Sequence, residues 1–145
     1  VSSAFGLARM LMCEREVDLA IKALDKVPGA SRHSRMAQLT AILCLVAGQP
    51  TEAQIRLAAR RLEQIPSTEP RFLQIKVSVI EAGLTHLREH GSAGPAPLFE
   101  YPFTMRELRR GLAHTLRAQA RIAPYPRHRY ALADMANKVR PATWF

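Results

Sequence analysis

Apolar residues recur along this chain at i, i+3, i+4 and i+7, the spacing that places them on one side of an α-helix. A first helix is expected from about Ser3 to Cys13, with Ala4, Leu7, Ala8 and Leu11 inward. After Glu14-Arg15-Glu16, a second carries Val17, Ala20, Ile21 and Leu24 and stops at Pro28-Gly29. A third spans Ser34 to Ala47 with Met36, Leu39, Leu43 and Val46 inward, ending at Gly48. A fourth follows Pro50 and buries Ala53, Leu57, Ala58, Leu62 and Ile65; Thr51 and Gln54 have capping-box spacing. A long fifth helix runs from Glu69 or Pro70 to His90 on Leu73, Val77, Ile80, Leu84 and Leu87. The sixth begins at Thr104, which with Glu107 forms a second capping box, and turns Met105, Leu108, Leu112 and Leu116 inward. The seventh, about Arg127 to Val139, uses Leu132, Ala136 and Val139. No strand-like alternation interrupts them. The fold class is all-α.

The stripes also repeat. Ala8, Ala20 and Leu24 return 33 residues later as Ala41, Ala53 and Leu57. Two helices per unit of about 33–34 residues is the pattern of a tetratricopeptide-like helical-hairpin solenoid, whose units stack side by side. One domain over residues 1–145 is expected. Residues 1–66 hold two regular helix pairs, and residues 69–145 hold the long helix, a loop at 91–103 and an irregular C-terminal cap. Gly91 to Pro102 contains three prolines and reads as the most mobile internal segment.

Composition narrows the function classes. At 48 % hydrophobic residues the chain can bury one core, and at 6 % aromatic that core is aliphatic. No run of apolar residues spans a membrane. The opening VSSAFGLARM lacks the basic region and cleavage site of a signal peptide. Its lack of an initiating Met points to a longer polypeptide, placed in the cytoplasm. Cys13 and Cys44 fall in apolar helical patterns and read as two buried free thiols, with a disulfide possible only where their helices pack together.

The net charge of +9 is uneven. Residues 1–103 carry 12 basic and 10 acidic groups, and residues 104–145 carry 9 basic and 2 acidic. The last third is a positive surface that favours acidic partners. Arg60-Arg61, Arg109-Arg110, Arg117, Arg121, Arg127 and Arg129 read as a solvated face. Stacking aromatics between them are scarce, so the expected partner is not nucleic acid.

Chemistry is sparse. His86 and His90 are spaced i, i+4, but no HExxH pattern accompanies them, and they read as polar residues at a helix end. His33 beside Ser31 and Ser34 reads as a turn residue, since adjacency in sequence supplies no oriented nucleophile. No catalytic residue, metal ligand set or cofactor is expected.

A recognition surface is the alternative to chemistry. In such solenoids the first helix of each pair lines the concave face. Ser2, Phe5 and Arg9 form one such row; the 33-residue shift carries Ser2 and Phe5 to Arg35 and Gln38, and Gln38 to Arg71. Phe5, Arg9, Arg35, Gln38 and Arg71 are the candidate protein-binding residues, offering an aromatic contact and polar donors to an extended peptide. Trp144 is expected to dock back onto the cap.

SAFGLAR, ALDKVP and SRH, in that order and spacing, together with the ending YALADMANKVRPATWF, resemble the C-terminal tetratricopeptide region of actinobacterial serine/threonine protein kinase G. The likeness is clear over residues 1–48 and 130–145. It implies a parent with a kinase domain upstream, often preceded by a rubredoxin-like module. This chain holds no GxGxxG loop, VAIK-type lysine, HRD loop or DFG metal ligand, the parts phosphoryl transfer needs. The resemblance implies a noncatalytic module for substrate docking, domain packing or self-association. Implied partners are the kinase domain itself, a forkhead-associated-domain substrate that links the kinase to glutamate metabolism, or a second copy. The competing reading is the helical sensor domain of a bacterial transcription regulator.

Overall fold

A computed structural model describes residues 2–141, with side chains described from Ala4 on. Those residues form seven helices: α1 (Ser2–Cys13), α2 (Val17–Asp25), α3 (Ser34–Val46), α4 (Glu52–Glu63), α5 (Phe72–His90), α6 (Met105–Ile122) and α7 (Pro126–Val139). Each packs against its neighbour in sequence, and α3 additionally touches α5, so the first helices of the second and third pairs lie side by side. One continuous aliphatic core runs through the stack, from Ala8 and Leu24 through Leu39, Ile55 and Ile80 to Leu108 and Leu116. Alanines with almost no exposed surface, Ala20, Ala41 and Ala58, lie where helices meet.

The 33-residue register is kept by the first helices and shifts in the second. Ala8 and Ala41 are both buried, but Ala20 is buried while its counterpart Ala53 is exposed, and Leu57 is only half-buried. The cause is loop length. Residues 14–16 join α1 to α2, whereas residues 47–51 join α3 to α4, two residues more. Moving the register on by those two residues pairs Ala20 with Ile55, Ala23 with Ala58 and Leu24 with Ala59, all buried. The seam between hairpins is continuous, in a register that simple repeat counting misplaces.

Other expected inward positions also move. Leu7, Met36 and Leu43 are exposed, and Leu73 is half-buried. In α3 the buried set is Ala37, Leu39, Ala41, Ile42, Cys44 and Leu45, covering most of the circumference. A helix flanked by α2, α4 and α5 has too little free perimeter for a narrow stripe to describe.

Helix ends follow local chemistry. The Thr51 hydroxyl accepts from the Gln54 amide at 3.2 Å and the Gln54 side chain accepts from the Thr51 amide at 2.9 Å, a complete capping box. Only half of the second box forms. Thr104 Oγ1 accepts from the Glu107 amide, but the Thr104 amide donates to Pro102 O and the Glu107 carboxylate turns to Arg110. α5 starts at Phe72 rather than Pro70, because the Glu69 and Phe72 amides are held in turns by Pro66 O and Glu69 O.

The segment 91–103 is anchored rather than loose. Leu98 and Phe103 are buried in the core, and Leu98 and Tyr101 exchange backbone hydrogen bonds of 2.8 and 3.0 Å around a tight turn. That turn puts Phe99 at φ 55°, an uncommon conformation for a residue with a side chain. Arg56 of α4 holds the other half. Its guanidinium donates to Ala96 O (2.8 Å), Gly94 O (3.0 Å) and Pro97 O (3.3 Å) and lies 4.9 Å from the Phe103 ring centroid. Glu52 orients Arg56 at 3.0 Å and accepts from the Gly94 amide at 3.1 Å. Loop carbonyls that would otherwise need water are satisfied by one side chain.

Candidate protein-interaction surface

The expected row of binding residues divides into two groups. Arg35, Gln38 and Arg71 come together around Glu69, whose side chain is largely buried. Arg35 Nε donates to Gln38 Oε1 at 3.1 Å, and Arg35 and Arg71 approach the Glu69 carboxylate at 3.6 and 3.3 Å. Arg71 Nη1 donates to Met36 Sδ at 3.3 Å. Two guanidiniums on one carboxylate leave a net positive knot between α3 and the start of α5. Phe5 and Arg9 belong elsewhere, on α1. Phe5 is half-buried against the core, while Arg9 is exposed. The Ser2 side chain and Trp144 lie outside the described residues.

Sequence periodicity misses an exposed apolar set on α1 and α3, because it assigns three of its members, Leu7, Met36 and Leu43, to the interior and gives Met10 no role. Leu7 and Met10 on α1 and Met36 and Leu43 on α3 are all large hydrophobics more than 40 % exposed. Met10 and Leu43 are one repeat apart, at equivalent places on the first helices of two pairs. A polarizable, flexible methionine beside leucine is suited to adaptable contacts. The signal was present in the doubled apolar rows of α1 and α3, more than one core could absorb.

The arginines of the cap act largely within the molecule. Arg109 Nε donates to Val139 O at 2.9 Å, Arg117 to Asn137 Oδ1 at 3.0 Å and Arg129 Nε to Ala123 O at 2.9 Å, binding α6 to α7. Arg61 makes two 3.0 Å bonds to Asp25 across α2 and α4, and this pairing raises the Arg61 pKa and secures its charge. The expected solvated basic face is thus partly internal bracing. Arg106, Arg121 and Arg127 remain exposed.

His33, His86 and His90 make contacts within the fold. His86, with about a tenth of its side chain exposed, stacks on His90 with ring centroids 4.3 Å apart and places Nε2 3.8 Å from Glu52. Among the described residues no three His, Cys, Asp or Glu side chains gather as metal ligands. The His33 amide donates to Ser31 Oγ at 3.1 Å, a turn contact in which Ser31 is an acceptor. Cys13 is exposed, contrary to expectation, Cys44 is buried, and both are free thiols.

Paired helices, a shared aliphatic seam and an exposed row on successive first helices define a tetratricopeptide-type repeat protein. The chain belongs to the protein kinase G tetratricopeptide repeat family, whose model matches residues 1–143. It is 46 % identical over 99 % of its length to the serine/threonine-protein kinase PknG of Mycobacterium leprae, and 44 % identical over its full length to that of Mycolicibacterium smegmatis. It spans about a fifth of the length of these curated relatives. The chain therefore corresponds to the repeat region, the non-catalytic part of such kinases. No helix among the described residues is long and apolar enough to cross a membrane.

Proposed function

We propose that this chain is a protein-interaction module of a protein kinase G-type serine/threonine kinase, working by contact and contributing no reacting group. The observation that carries the proposal is the set of exposed apolar side chains Leu7 and Met10 on α1 and Met36 and Leu43 on α3, of which Met36 meets the Arg35–Glu69–Arg71 knot through Arg71. Large exposed methionine and leucine side chains, two on each of two successive first helices, favour a docking surface over a solvated one. Its occupants, in line with the family, are the kinase domain of the same polypeptide, a forkhead-associated-domain substrate, or a second copy. The family match supports this reading over a transcription-regulator sensor.

The double variant Met10→Glu/Leu43→Glu tests it. Both positions are exposed, so far-ultraviolet circular dichroism and the melting temperature should stay near wild type. Calorimetric titration against the separately purified kinase domain and the forkhead-associated protein, with sedimentation velocity for self-association, should show one of these associations weakened at least about tenfold, as for loss of central apolar contacts. A variant that folds normally and keeps every association present in the wild type would refute the assignment.

A further inference from the structure

A second surface lies at the opposite end of the stack. Between α5, α6 and α7 is a cleft of about 320 Å³, floored by Leu84, Leu112 and Val139 and edged by one cation from each helix: Arg88, Arg109 and Lys138. We infer that this cleft anchors a partner protein segment bearing a carboxylate next to a compact aliphatic side chain. The inference rests on the interaction-module reading but uses a surface distinct from the α1–α3 row.

Charge supports the carboxylate. Among the described residues, the side chains of Arg88 and Lys138 form no hydrogen bond or ion pair. Arg109 uses Nε on Val139 O, and its two Nη nitrogens make no such bond. The opposing negative charge is limited. Glu81 supplies one carboxylate at the rim, and Arg88 and Lys138 lie in the last turns of α5 and α7, each helix end worth about half a negative charge. Three cations therefore exceed what surrounds them by about one charge. One incoming carboxylate would balance the cleft.

Shape favours a protein segment over a free small molecule. The volume is at the small end of the roughly 300–1,000 Å³ of ligand pockets, which bury most of their ligand. Here Arg88, Lys138 and Glu81 at the rim are exposed, so a free ligand would stay half-wet. A segment whose flanks continue over the rim would shield these charges while an aliphatic side chain meets the floor. Buried anchors with a polar surround are the usual organisation of such contacts.

The test is amide-resolved NMR on the full chain, titrated with acetyl-Leu-Asp-Leu-amide, acetyl-Leu-Asn-Leu-amide and inorganic phosphate. The Asp peptide should shift amides of residues 81–88, 105–112 and 136–140, binding at least about fivefold more tightly than the Asn peptide and weakening as salt is raised. Arg88→Gln/Lys138→Gln should lose that preference while leaving the untitrated spectrum elsewhere unchanged. No shift in the cleft, equal shifts from both peptides, or the same pattern from phosphate alone would overturn the inference. Any of these would leave the α1–α3 proposal untouched, since its variants lie on other helices.

Discussion

Cys13 and Cys44 occupy similar apolar contexts in sequence yet differ in burial in the fold. Burial pushes the Cys44 thiol pKa up, whereas Cys13 lies exposed at the end of α1. Since thiolate and access control attack, Ellman's reagent should label one thiol quickly in the native chain and the second only in denaturant. Labelling of both at one native rate would contradict this placement. Glu52 is another residue whose setting changes its chemistry. Its hydrogen bond from Arg56, then the one from the Gly94 amide, hold its carboxyl below the usual range. A lowered folded pKa gives stability that is fully present above the unfolded value, about 4.3, and is lost as pH falls through the folded value. The melting temperature of wild type should therefore exceed that of Glu52→Gln at neutral pH, with the gap closing below about pH 4. A gap independent of pH would mean the charge is irrelevant to the loop anchor.

At the scale of elements, the close approach of α6 to the 91–103 segment turns on Gly111. A Cβ built there would lie 2.7 Å from Tyr101 Cδ2 and Cε2 and 2.9 Å from Cγ, too close for the ring to remain. Two effects compete in Gly111→Ala. Helix propensity favours alanine by about 1 kcal/mol. Overpacking costs typically about 1–3 kcal/mol. Because the contact is with the ring and its base rather than a flexible tip, overpacking should win, and urea unfolding should show a net loss of up to about 2 kcal/mol. In a Tyr101→Ala background the same substitution should become neutral or stabilising, a sign change that isolates the contact.

For the whole molecule, Arg56 carries more than its own helix. It joins the second repeat to the segment leading into the cap, through three carbonyls, Glu52 and the Phe103 ring. Hydrogen bonds to charged groups contribute about 1.5–3 kcal/mol each and are not additive within one network. Arg56→Ala should cost about 2–4 kcal/mol in total. Its local mark should be sharper: amide hydrogen exchange across 91–103 rising at least about tenfold, with α1 and α2 little changed. Uniform acceleration would mean the stack unfolds as a unit and the anchor is not separable.

Much was legible along the chain because helix formation here is local. Stripe spacing gave seven helices, Thr51 and Gln54 gave a cap, and a 33-residue recurrence gave the hairpin stack. What failed depended on neighbours distant in sequence. A stripe shows that a row is apolar, but not whether another helix covers it. Stripe spacing alone therefore puts Leu7, Met36 and Leu43 in the core, and repeat counting puts Ala53 in a register that the longer loop shifts. The clustering of Arg35 and Arg71 on Glu69, and of Arg88, Arg109 and Lys138 around one cleft, joins side chains tens of residues apart. Hydrophobic periodicity is set by each helix alone; coverage and charge pairing are set by the packing of one helix on the next.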